Sequence, residues 1–235
     1  MALPYPAGVA RFLLRIWLTD RPGALGSVAS RIGAVRGDVV GIDILERNAG
    51  MAVDELAVDL PGADLVDLMV REIQQVDGVK VEDVRPVEGG ADRLTFELEA
   101  AVDIVEAPDS DEVLEALCRS ASELTQAPWS AVLCVENQEL LACRGGPLPP
   151  LQWLTAVALG LGSAPGASVD GMVVAELTRS RLVFLVGGSG LTVRQRERES
   201  LVHLARVADL QWSRLACLAA TAEHPSRRRM RPVAI

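Results

Sequence analysis

Residues 12–25, Phe12-Leu13-Leu14-Arg15-Ile16-Trp17-Leu18-Thr19-Asp20-Arg21-Pro22-Gly23-Ala24-Leu25, set the reading of the first half of this chain. Phe12, Leu14, Ile16 and Leu18 alternate with Leu13, Arg15, Trp17 and Thr19, the two-residue period of a strand with one well-buried face. Asp20-Arg21-Pro22-Gly23 stops that strand. Pro22 fixes φ and brings no N–H, so it suits the opening of a helix, and Gly23 lets the backbone turn tightly. Asp20 is then placed to accept hydrogen bonds from the first free amides of the helix. The helix carries Leu25, Val28, Ala29 and Ile32 as one apolar stripe and ends near Arg36-Gly37, a cation followed by a glycine stop.

Downstream, Val39 to Leu45 and Ala52 to Leu60 read as strands joined by Asn48-Ala49-Gly50, with the Asn and Gly that a hairpin wants. A second helix, Ala63 to Val76, puts Leu65, Leu68, Met69, Ile73 and Val76 on one side. Asp77-Gly78 closes it, and Val79, Val81 and Val84 begin a last strand. The order strand, helix, strand, strand, helix, strand is the split βαβ of ferredoxin-like folds. Two helices on one face of an antiparallel sheet leave the other face to water or a partner. Arg15 and Trp17 are expected on that open face, a physical reason to expect a homodimer.

Composition narrows the function classes. The chain has 235 residues, room for two small domains, and its 49% hydrophobic and 23% charged residues fit a folded globular protein. Aromatics are only 3%, so the cores must be built from Val, Leu, Ile and Ala. A formal net charge of −9 repels nucleic acid and anionic lipid, and neither is expected as the principal partner. Met1 to Ala10 has no basic segment followed by an apolar one, so no secretory signal is read. The apolar stretch around Leu154 to Leu161 is too short to span a bilayer. Cys118, Cys134, Cys143 and Cys217 are scattered without a C-x-x-C pair, which suits reduced thiols in a cytoplasm.

Phe12 to Val87 resembles an ACT domain, a small regulatory module found on many amino-acid-metabolism enzymes. The D-x-P-G-x-L segment Asp20-Arg21-Pro22-Gly23-Ala24-Leu25, the βαββαβ order and the length carry the likeness. The resemblance implies a ligand held between this loop and the start of the second strand of a neighbouring subunit, here Asp38 and Val39. The local chemistry agrees, since free N–H groups at a helix start favour a carboxylate. Where the family often has Asn, this chain has Asp38; it either accepts from a ligand ammonium group or simply caps the turn. Asp20 to Gly23 has two readings as well, a ligand loop or a helix start and nothing more.

Pro86 to Gly90 is polar and flexible in composition and marks a boundary. Leu94, Leu98, Ala101 and Val105 then fit an amphipathic helix, although Leu94, Phe96 and Leu98 alone also fit a short strand. Asp109 with Glu112 makes a capping-box pattern for a helix to about Gln126. Trp129 to Glu136 pairs with Glu139 to Arg144 as a hairpin. A helix from Leu151 to Leu159 follows, then a hairpin of Met172 to Leu177 and Arg181 to Val186. Thr192 with Gln195 opens a long helix with Leu201, Leu204, Ala205, Ala208, Trp212 and Leu215 in one stripe.

Asp92 to Ala222 resembles a GAF domain, best from Leu182 to Val186 through Gly190-Leu191-Thr192 into the helix carrying Arg196, Glu197 and Leu201. The resemblance implies either dimerisation through the terminal helices or a second ligand site. Some GAF-type proteins reduce methionine sulfoxide with paired thiols. With the register set by Asn137-Gln138, Cys134 and Cys143 become diagonal neighbours on one face, at or beyond disulfide reach. The glycine clusters lack the P-loop Lys-Ser/Thr, and His203 and His224 cannot form a metal site together, so no cofactor is expected.

The expectation is an α+β protein: a ferredoxin-like ACT-type domain at 10–87, a linker at 88–91, a GAF-like antiparallel sheet flanked by helices at 92–222, and a basic tail at 223–235. It is a cytoplasmic, non-catalytic regulatory homodimer sensing an amino acid through Asp20, Arg21, Pro22, Gly23, Ala24, Leu25, Asp38 and Val39. A scaffolding dimer without metabolite is the alternative, and a thiol reductase the third reading. No output signature follows, so an unidentified downstream protein must receive the response.

Overall fold

The computed structural model describes residues 9–87, 93–161, 166–169 and 171–222. The stretches expected as linker, 88–91, and basic tail, 223–235, lie outside the described residues. The fold is α+β, and the chain separates into two compact units: Met1–Phe96 with Arg194–Arg196, and Glu97–Val193 with Glu197–Ile235.

The first unit runs β1 (Ala10–Thr19), α1 (Ala24–Ala34), β2 (Asp38–Asn48), β3 (Met51–Leu60), α2 (Val66–Ile73, led in by a 3-10 turn) and β4 (Lys80–Pro86). The sheet order is β2-β3-β1-β4, antiparallel throughout. Phe12, Leu14, Ile16 and Leu18 of β1 and Ala52, Leu56, Val58 and Leu60 of β3 pack beneath Val28 and Ile32 of α1 and Met69 and Ile73 of α2. The β2–β3 turn places Ala49 and Gly50 at positive φ, 51° and 79°, the geometry of a two-residue hairpin.

Two expectations change here. The face carrying Arg15 and Trp17 is not open: Val53, opposite Trp17, and Glu55, opposite Arg15, are both buried. The exposed apolar residues of this unit include Val40, Ile42 and Ile44 on the edge strand β2 and Leu68 on the second helix. At the end of α1 the left-handed turn is made by Arg36, φ 64°, and Gly37 is needed for closeness. A β-carbon there would lie 2.7 Å from Ile32 Cγ2.

The third helix, α3 (Arg93–Glu106), begins in the first unit and continues into the second, where it and α4 (Ser110–Thr125) precede β5 (Trp129–Cys134) and β6 (Glu139–Gly145). Then come α5 (Leu151–Leu161), β7 (Ala167–Val169), β8 (Met172–Leu177), β9 (Leu182–Gly187) and α6 (Gln195–Ala222). The five strands order as β6-β5-β9-β8-β7. Leu154 and Ala158 of α5 pack on Trp129, Leu133, Val174 and Leu185. From the opposite face, Ser130 of β5 donates to the Cys118 carbonyl of α4 at 2.9 Å. Covered on both faces, β9 is buried at all its positions. Asp109 caps α4, accepting from Asp111 N at 3.1 Å and Glu112 N at 3.0 Å. The stripe expected to bury α3 faces outward, since Leu94, Leu98 and Val105 are exposed while Ala100 and Ile104 are buried.

Candidate functional site

The turn between β1 and α1 is built by backbone bonds. Asp20 N donates to Gly50 O at 2.9 Å, Arg21 N to Thr19 O at 2.8 Å, and Ala24 N to Arg21 O at 3.2 Å. Gly23, at φ 85°, is the residue that precedes the helix, and no side chain caps it. The left-handed turn at Gly23 adds a step before the helix begins at Ala24, carrying Asp20 out of reach of the helix-start amides. Asp20 is therefore not the cap; its carboxylate lies 3.9 Å from Arg47 Nε, at the rim. Among the described residues the amides of Leu25 and Gly26 have no hydrogen-bond partner. They open to a surface on which Asp20, Arg21, Pro22 and Gly23 are exposed, Leu25 is half-buried and Ala24 is buried. Two unpaired donors at the positive end of an eleven-residue helix suit a small anion.

Asp38 and Val39 lie elsewhere in the same chain. Asp38 pairs with Asp59, which pairs with Arg11 at the start of β1, whereas the loop follows Thr19 at its end. The two groups sit at opposite ends of the sheet, about 27 Å apart at the usual strand rise. One chain does not bring them together.

What lies near the loop is a pair of charged residues that the sequence reading passed over, Arg47 and Asp54. Asp54 belongs to β3, opposite Ile16 and Ile44, on the helix-covered face. It is 4% exposed, and its Oδ1 has no hydrogen-bond partner. Burial pushes its carboxyl above the usual carboxylate range; Arg47 opposes that rise and Asp20 adds to it. The sequence signal was an acid in the core-facing register of Ala52, Leu56, Val58 and Leu60.

A second charged cluster of this unit is on the opposite sheet face. Glu55 accepts from Arg15 Nη2 at 2.9 Å and Arg93 Nη2 at 3.2 Å, and Arg85 Nη2 lies 3.7 Å away. Burial works to raise its carboxyl, but the guanidiniums of Arg93, Arg15 and Arg85 prevail and hold it below the ordinary value.

The second unit holds a cavity of about 310 Å³ between the end of α5, at Ala158 and Leu159, and the β8–β9 hairpin, at Glu176, Arg181 and Val183. The thiol pair is not assembled as expected. A bulge after Val132 sets Cys134 opposite Glu139 and Cys143 opposite Ala131, so the two cysteines point to opposite faces. The Cys118 thiol is buried and pushed up to about 12, chiefly by loss of water, so it stays protonated at neutral pH. Among the described residues no group of three or more His, Cys, Asp or Glu side chains could hold a metal ion. No described helix is long and apolar enough to cross a membrane.

No family model matches this chain, and no curated protein does. Solved structures do. The ACT domain of GTP pyrophosphokinase from Chlorobium tepidum is 18% identical over 34% of this chain and 96% of its own, with a TM-score of 0.26. The GAF domain of an Acinetobacter phosphoenolpyruvate-protein phosphotransferase is 13% identical over 55% of this chain and 95% of its own, at 0.38. The C-terminal domain of the MgtC protein from Mycobacterium tuberculosis is 13% identical over 37% and 94%, at 0.29. Scores this low carry no inference about what the protein binds.

Proposed function

We infer that this chain is a cytoplasmic regulatory protein in which an ACT-like unit senses an amino acid at the start of α1 and a GAF-like unit serves dimerisation or a second ligand. The observation that carries the reading is the pair of unpaired amides, Leu25 and Gly26, on an exposed helix start. A ligand carboxylate satisfies both donors and meets the helix dipole.

The separation of Asp38 from the loop fits a site shared between two copies. β2 is an edge strand with Val40, Ile42 and Ile44 exposed. Antiparallel pairing of two β2 strands about a dyad sets the Asp38 and Val39 end of one copy beside the Asn48 end of the other. Asn48 pairs with Met51, which pairs with Thr19 just before the loop. The homodimer then completes the site, and the response passes to a downstream protein. The scaffold reading draws support from the exposed stripe of α3, Leu98, Val102 and Val105.

Thermal unfolding of the full chain against the common amino acids tests the choice. A ligand at 100-fold its dissociation constant adds about 2.7 kcal/mol of stability. A selective shift that Gly23→Asp abolishes supports the sensor, because the new carboxylate repels an anion at the helix start. No shift from any amino acid, with a folded protein, leaves the scaffold.

A further inference from the structure

We propose that Asp54 is the cation-recognising residue of the α1 site, pairing with the primary ammonium of a zwitterion whose carboxylate takes the amides of Leu25 and Gly26. The assignment rests on the ligand-binding reading above and deepens it.

One row of β3 side chains faces the helices. Ala52, Leu56, Val58 and Leu60 are core residues, and Asp54 fills the remaining place in that row. It is 96% buried by its 4% exposure, and Oδ1 meets no donor. An acid at such a position is costly unless a partner arrives to compensate it. The charges that act on it are Asp20, from the loop before α1, and Arg47, from β2. Arg47 stands by Asp20 at 3.9 Å, so two carboxylates share one guanidinium and the cluster lacks a positive charge. Asp20, whose charge acts on Asp54, opens the loop that leads into α1, and the start of that helix has no side-chain cap and lacks a negative charge. A primary ammonium offers three donors and a compact charge on a small group, and a zwitterion supplies both missing signs at once. The ligand class is therefore one carrying a carboxylate and an unblocked amine, and Asp54 is what separates it from the corresponding hydroxy acid.

Isothermal titration of the full chain tests this, using the amino acid found by thermal shift and the 2-hydroxy acid with the same side chain. Asp54→Asn is expected to weaken the amino acid at least about tenfold and the hydroxy acid less than about twofold, the loss of one charge-assisted contact. Equal losses, or none, overturn the assignment while leaving the loop as the binding site. A second reading uses the wild-type protein alone. Burial raises the Asp54 carboxyl and a bound ammonium lowers it again, so binding on the acidic side releases protons. The release appears as a dependence of the binding enthalpy on the buffer's ionisation enthalpy. Binding without proton release overturns the assignment even where the variant does not fold. A panel in which no amino acid shifts the unfolding temperature removes the ligand reading and this assignment together.

Discussion

Asp54 and Glu55 are neighbours on β3 whose carboxyls face opposite sides of the sheet and are displaced in opposite directions. Asp54, among apolar side chains, is raised by burial, whereas Glu55, among three arginines, is held low. The pleat separates the two environments by one residue.

Asp54 therefore gives the folded state an acidic-side signature. With its folded pKa raised above the ordinary 3.8, the stability it allows is full below that value and declines as pH rises through the folded pKa. Asp54→Asn has no such decline. Urea denaturation from about pH 4 to 7 should show the difference moving in the variant's favour as pH rises. A difference that moves the other way would refute the raised carboxyl.

Glu55 has the opposite sign. Its folded pKa lies below the ordinary 4.5, so its stabilisation is present above that value and is lost as pH falls through the folded pKa. Glu55→Gln leaves Arg93 and Arg15 with a neutral partner and should cost about 3 kcal/mol at neutral pH. The deficit should shrink on acidification, as wild type surrenders the same charge; a deficit independent of pH counts against the ion-pair account.

Asp209 ties α6 to the β8–β9 turn. It accepts from the amides of Arg179 and Ser180 at 2.9 Å each and from Ser180 Oγ at 2.8 Å. Removing the carboxylate in Asp209→Ala strands two amides and should destabilise by about 2–4 kcal/mol, with Asp209→Asn intermediate. Amide hydrogen exchange at Arg179 and Ser180 should rise in the alanine variant. Unchanged protection there would mean the turn holds without its acceptor.

Ile42 is 48% exposed on the edge strand. Ile42→Lys should leave the unfolding temperature of the monomer nearly unchanged and shift sedimentation toward it. If the protein sediments as before, β2 is not the contact between copies.

The first unit was legible because two periods and their punctuation agree. Alternation in 12–19 meets Pro22-Gly23, a helical stripe follows, and Asn48 to Gly50 turns the hairpin. Each local preference points to one arrangement. The loop position was legible on the same grounds, but its chemistry was not. Whether Asp20 caps the helix depends on the φ of Gly23, a torsion and not a residue type. Asp54 was hidden because it interrupts a strand pattern that remains convincing with one acid in it. In the second unit, the bulge after Val132 reversed the expected facing of Cys134 and Cys143, and turn residues alone do not encode a bulge. The stripe on α3 shows the same limit: periodicity identifies a helix, but which side meets the core depends on the elements around it. β7, three residues long, leaves too little sequence for a period.

The irregularities in β2 have a consequence for solubility. Its pairing with β3 shifts between Val39 and Gly41 and again between Ile44 and Glu46. Uninterrupted register on this edge is confined to the few residues between the two breaks, and each break adds local twist. An incoming strand finds a short docking strip and not a long flat template. Fibrous stacking, which feeds on straight edges repeated without end, has little to propagate from here.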